Sequence, residues 1–291
     1  MLYELTVQDI FRYFADVGAL TGGQFVSLFI PSLALIVLLH MVSRLIRKHA
    51  VDTIGVKGYL LVFGWLGVTV HEFGHLIFSV IFFQLVTDVK FFQMPQSADG
   101  TLGWVERGTT SSNFKIGSFF VGIGPALLGS VLIYFAGKWL LGDQALLSLQ
   151  FPTINITTFS SFENLKTFAY EIIQMVVFAF RFFFLRPEGI DWRFIIFLYI
   201  ACSIGSSLAL SSPDILIALP GFATIFVALF VLNALTLWMG MLIPDTIGQL
   251  IDASRSLYGM LLFVLMMNVF IAAMIMVISV LASTVRAIFR R

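Results

Sequence analysis

Apolar residues run along this chain in long unbroken blocks, with polar residues gathered in the connections between them. About 20 consecutive apolar residues suffice for a helix to cross the hydrocarbon core of a bilayer. By that measure the sequence predicts roughly seven helical segments. They are Gln24 to Ser43, containing Pro31; Gly58 to Gln84; Gly117 to Leu141, containing a glycine-rich turn at Gly122-Ile-Gly-Pro125; Phe168 to Leu185; Arg193 to Leu210; Ile215 to Met239; and Tyr258 to Val285. The fourth carries Glu171 and Arg181 and is expected either to cross the membrane or to lie flat at its interface. The longest polar connection, Val86 to Lys115, contains two strand-like runs, Asp88–Gln93 and Thr101–Arg107. They flank the turn Ala98-Asp-Gly100 and read as a β-hairpin. The stretch from Asp143 to Lys166 reads as a loop. The expected fold class is an all-α polytopic membrane protein of about six to seven transmembrane helices, with a small β-hairpin after the second.

Composition narrows the classes further. The 291 residues are 59% hydrophobic and 11% charged, against about 25% charged in an ordinary soluble domain. That excludes a soluble enzyme, a disordered tail and a typical nucleic-acid binder, and makes the lipid bilayer the expected partner. A formal net charge of +1 supplies no bulk field for acidic ligands. The single cysteine, Cys202, excludes an intramolecular disulfide and a cysteine-based zinc site. The first 23 residues contain Glu4, Asp9, Arg12 and Asp16 and lack the basic start of a cleaved signal peptide, so the first segment is expected to anchor the chain. With seven spans, Arg44, Arg47, Lys48 and Lys57 fall on the same side as Arg286, Arg290 and Arg291, which is taken as cytosolic. No repeat and no separately folding soluble domain is evident, so residues 1–291 read as one integral-membrane domain, multi-pass.

The chemistry lies in the second segment, which reads Val68-Thr-Val-His71-Glu72-Phe-Gly-His75. On a helix, positions i and i+4 share a face, so both imidazoles of this His-Glu-x-x-His motif can reach one metal ion. Glu72 is then placed to take a proton from a water polarised by the metal, for which Zn2+ is the default choice. With four histidines and six glutamates in the chain, random placement would produce the pattern in roughly one such chain in a thousand. An ionisable group this deep in an apolar segment also costs on the order of 2.5 kcal/mol or more unless it faces a protein interior or a wet cavity. The bland alternative is a hydrogen-bonded His–Glu–His cluster that joins helices. Gly74, beside the motif, is expected to let a neighbouring helix approach closely.

A catalytic zinc takes three protein ligands and keeps one position open. His40, Glu171, Asp214, Asp245 and Asp252 are candidates for the third. Asp214 leads, because it is the only charged residue between about Ile195 and Met239 and follows Pro213, where the backbone should break. A break at membrane depth is tolerated where it lines a cavity. Asp245, in Ile243-Pro-Asp-Thr246, is the runner-up; its bland reading is an exposed acid beginning a turn or helix. For Asp214 the bland reading is a helix N-cap. His40 is expected to be an interfacial or packing histidine near the end of its helix.

On these residues the sequence resembles the site-2 protease family of intramembrane zinc metallopeptidases. The resemblance rests on His71-Glu72-Phe-Gly-His75, extends to the hairpin-like Val89–Arg107 and to Gly124-Pro125, and reaches Asp214 after its proline; it covers about residues 58–239. It implies a zinc held by His71, His75 and Asp214, with Glu72 as general base. It further implies hydrolysis of a peptide bond in or near a transmembrane segment of a membrane-protein or peptide substrate, guided by the hairpin. The chain departs from the family's pattern after the aspartate, where Ile215 and Leu216 follow. It also has Ser206 in place of an expected asparagine, and Leu128 near the place of another. Two other readings use the same cluster: a transporter or a proton- or metal-conducting protein, and an inactive protease-like scaffold.

Overall fold

The computed structural model describes residues 6–94, 102–108, 115–142, 150–154, 158, 160–185, 189–208, 210–239 and 242–289. Among them are seven α-helices and one two-stranded sheet: α1 Val7–Tyr59, α2 Trp65–Ile81, β1 Val86–Lys90, β2 Trp104–Arg107, α3 Lys115–Leu140, α4 Phe162–Phe184, α5 Trp192–Gly205, α6 Ser212–Thr236 and α7 Leu242–Phe289. Each predicted apolar block falls on a helix. A helix satisfies its own backbone hydrogen bonds, which an apolar surrounding cannot do for it. Four helical stretches are long and apolar enough to cross a membrane by length and composition: Val7–Ile81, Lys115–Leu140, Ser212–Thr236 and Asp245–Leu281; α5 is a shorter apolar helix.

The structure differs from the sequence expectation in three places. First, helix starts well before the predicted Gln24: α1 is helical from Val7, where Thr6 and Asp9 form a reciprocal capping box. Asn233 of α6 is fully buried and donates to Thr21 and Gln24 at 2.9 and 2.8 Å, which ties this early part of α1 to α6. Second, Gly122-Ile-Gly-Pro125 is not a turn; α3 runs through it without interruption. Third, both strands are shorter than read: β1 begins two residues earlier, at Val86, whereas β2 begins only at Trp104. Lys90 pairs with Trp104, Val89 with Val105 and Asp88 with Glu106, and a bulge shifts the register before Val86 meets Arg107. The turn Ala98-Asp-Gly100 lies outside the described residues, as does much of Asp143 to Lys166.

Two features place α2. Gly55 has φ of +76°, a left-handed conformation that glycine adopts without strain, and it turns the chain near the end of α1. A single π-turn, Leu60–Gly64, then leads into α2. The hydrophobic core sits between α1, α3, α5 and α7, where Leu39, Ile133, Phe197, Phe263 and Val264 are almost completely buried.

Helix α3 packs against α2 on one side and α6 on the other. The α2–α3 contact is backbone against backbone. A Cβ on Gly74 would lie 2.6 Å from Pro125 Cα, and one on Gly124 would lie 2.8 Å from the Gly74 carbonyl oxygen. Toward α6, a Cβ on Gly122 would lie 2.6 Å from the Asp214 carbonyl oxygen. Small residues on α3 therefore draw the motif helix and the start of α6 together. Gly74→Ala is expected to cost about 1–3 kcal/mol, because the overlap is with backbone that cannot rotate away. Thermal unfolding of the detergent-solubilised protein would read this as a lowered midpoint, whereas Gly18→Ala, with open space around its Cβ, would hold or raise it, since alanine in a helix interior is favoured by about 0.5–1 kcal/mol.

Candidate metal centre

His71 and His75 stand one turn apart on α2, with ring centroids 5.0 Å apart. Asp214 comes to them from the first turn of α6. Its Oδ1 lies 3.1 Å from His75 Nε2, and its Oδ2 lies 3.5 Å from His71 Nε2. One ligand atom from each of the three residues lies within 4.8 Å of the others, a grouping able to hold a metal ion. Asp214 is 6% exposed and the two histidines are half-buried.

The break that delivers Asp214 follows from the local sequence. Helix α5 is 14 residues long and ends at Gly205. The described residues that follow, 206–208 and 210, are not helical, and Ser211 caps α6. Pro213 sits in the first turn of α6, where its missing N–H leaves no intrahelical bond unmade. Asp214 is both the cap partner and a member of the cluster. Its Oδ2 accepts from the Ser211 amide at 2.7 Å, while its amide donates to Ser211 Oγ at 3.3 Å. The capping box holds the carboxylate in the orientation that faces the imidazoles.

The other nitrogen of each histidine is anchored on a backbone carbonyl that a local disruption has freed. His75 Nδ1 donates to the Val121 carbonyl at 2.8 Å. In a regular helix that carbonyl would accept from residue 125, but residue 125 is a proline and has no N–H. His71 Nδ1 donates to the Ser207 carbonyl at 2.9 Å. The amide four residues beyond Ser207 belongs to Ser211, and it is turned to Asp214 instead. A carbonyl oxygen can only accept, so both Nδ1 atoms carry hydrogen and both neutral rings present an Nε2 lone pair. Two lone pairs and a carboxylate then face one point. Three acceptors at this spacing require positive charge between them, from a shared cation or from a proton on each ring. A divalent ion fits the donor set, and Nδ1–H···O=C contacts of this kind are the usual outer support of metal-ligating histidines.

Pro125→Ala tests this geometry. It restores an amide four residues past Val121, and that amide competes with His75 for one carbonyl. Metal affinity is expected to fall about 10–100-fold, read by competition with a chromophoric chelator. The melting temperature should hold or rise, since an interior helix proline costs up to about 3 kcal/mol.

A cavity of about 650 Å³ opens over the cluster. Glu72 lines it and is half-buried, and a Cβ on Gly103, just before β2, would lie 2.8 Å from Glu72 Cγ. The absence of a side chain at Gly103 leaves the glutamate open to the cavity. Trp104 and Arg107 of β2 also line it. Burial pulls the Arg107 guanidinium pKa below its ordinary value, and the Asp214 carboxylate opposes that pull.

The remaining candidates separate clearly. Asp245 is exposed in the first turn of α7 and stands outside the cluster. Asp252 pairs with Arg255 at 3.6 Å. Glu171 lines a different, polar pocket with Arg255 and Asn164. His40 is a correction to the sequence reading. It lies well inside α1 and lines the cavity, together with Ser43, Arg44 and Arg47. Positions 40, 44 and 47 form one helical face, which was the available signal. Comparison with protein-family models, with curated proteins and with solved structures returned no match for this chain.

Proposed function

We propose that this chain is an intramembrane zinc metalloprotease of the site-2 type, hydrolysing peptide bonds in or near transmembrane segments of membrane proteins. The observation that carries this reading is the convergence of His71, His75 and Asp214 in one cavity with Glu72, inside an apolar helical bundle. In this reading the bundle crosses the bilayer six or seven times, with Arg44, Arg47, Lys48 and Lys57 on the cytosolic side. Helix α5 rises about 21 Å, short of a core about 30 Å thick, which supports a break after Gly205 at the depth of the motif.

His71, His75 and Asp214 would hold the ion, with their outer hydrogen bonds to Val121, Ser207 and Ser211 keeping the lone pairs aimed. Zinc, when bound, supplies Lewis acidity that polarises a carbonyl and acidifies water. Glu72 accepts a proton from the attacking water and returns it to the leaving amine. The hairpin supports capture of substrate in extended form, since a strand laid along its edge has its backbone exposed for attack.

The test is cleavage of a purified reporter carrying one transmembrane helix. Cleavage should require added zinc, stop with a chelator and fail with Glu72→Gln. Metal or proton flux through proteoliposomes without cleavage would replace this reading with a conducting one, and metal-free, inactive wild type would replace it with a scaffold.

A further inference from the structure

The cavity over the metal centre is walled by unspent positive charge. Arg44 and Arg47 reach it from α1 and Arg107 reaches it from the end of β2. Among the described residues none of the three forms an ion pair. The hydrogen bond recorded for Arg107 is a long one, 3.4 Å, to Gln84 Oε1. Among the described residues, the acids lining the same cavity are Glu72 and Asp214, and Asp214 is already engaged by two imidazoles and the Ser211 amide. Three guanidiniums therefore face a space holding one uncommitted carboxylate, and a bound divalent ion would add to the excess. Guanidinium is planar, permanently charged and matched to a carboxylate through paired N–H donors.

Resting on the protease reading, we propose that this cavity selects extended peptide segments bearing acidic side chains beside the bond offered to Glu72, with Arg44, Arg47 and Arg107 as the selecting residues. Two observations favour a peptide over a lipid phosphate. Arg107 is half-buried within the cavity and close enough to Asp214 for their charges to interact, which is deeper than a rim residue reaching for a headgroup. It also sits on a strand, and a chain paired along a strand presents alternate side chains to one face, the spacing at which successive acids would meet fixed cations.

The experiment uses full-length protein carrying Glu72→Gln, so that bound peptide persists, and two fluorescent peptides. Each peptide has an apolar helix followed by a short juxtamembrane stretch bearing three aspartates or three asparagines. Fluorescence anisotropy at low salt should show the aspartate peptide binding about tenfold more tightly, from three partly exposed pairs, with the preference fading as salt rises. The added substitutions Arg44→Gln, Arg47→Gln and Arg107→Gln should bring the two affinities together. Because Arg107 is half-buried, the Arg44→Gln/Arg47→Gln pair, both on an exposed helical face, is measured separately and should remove part of the preference. Equal affinities at the start, or a preference that survives all three substitutions, would overturn the inference. So would arginine-dependent retention of phosphatidylglycerol in mixed micelles with no discrimination between the peptides, which would assign the arginines to lipid. Failure of the protein with Glu72 intact to cleave either peptide, with the binding preference present, would remove the protease reading and leave charge selection standing.

Discussion

Glu72→Gln is expected to lower the rate of reporter cleavage by about 10²–10⁴-fold, the usual contribution of a positioned general acid–base, while leaving bound metal at the wild-type level. The amide is nearly isosteric, so it fits the space left by the missing side chain at Gly103, but it cannot take up a proton. His71, His75 and Asp214 are untouched, and their carbonyl and amide supports lie on other elements. Cleavage kinetics beside metal analysis on one preparation would separate the two effects. A glutamine variant that still cleaves at the wild-type rate would remove Glu72 from the chemistry. One that loses its metal would place it in the ion's coordination instead.

The second large effect belongs to Asp214. Removing an outer partner of a metal ligand typically costs 10–100-fold in affinity, and loss of a ligand should exceed that. Asp214→Ala is therefore expected to weaken metal binding by more than about 100-fold and to abolish cleavage. It also removes one side of the α6 capping box, at about 1 kcal/mol, so its melting temperature should drop slightly. Asp214→Asn separates the roles. Its amide oxygen still accepts from Ser211, so folding should match wild type, but the neutral group binds a cation poorly. Metal-to-protein ratios and thermal melts of both variants would check this, and a metal-replete Asp214→Asn protein would exclude Asp214 from the ligand set.

Much of this arrangement was legible in the residues. Long apolar blocks predict helices because only a helix or a closed barrel satisfies the backbone in lipid, and every block lies on one. The i, i+4 histidines needed no tertiary information. Asp214 was readable because Pro213 and two serines mark a helix start within an otherwise uncharged apolar stretch. Its bland reading as an N-cap falls three residues off: Ser211 is the N-cap, and Asp214, at the third helical position, completes the capping box while facing the histidines.

What was not legible has physical reasons. Gly122 to Pro125 carries the signature of a turn, yet α3 passes through it because the glycines meet neighbouring helices and His75 takes the hydrogen bond that the proline cannot make. His40 was read as a helix end because the apolar block stops near Ser43. The helix continues through charged residues that carry no hydropathy signal, and this extension places Arg44 and Arg47 over the cavity. The hairpin register depends on a bulge near Val86 that pattern alone does not reveal.

The capping box at Ser211 also bears on how the protein is made. The histidines leave the ribosome more than a hundred residues before Asp214, and the carboxylate is aimed only once α6 has begun and docked beside α3. A nascent chain halted before that point exposes two imidazoles and a glutamate without the carboxylate that completes the cluster. On the proposed reading, assembly of the centre is deferred to the last third of synthesis, so that truncated chains would lack a complete metal site.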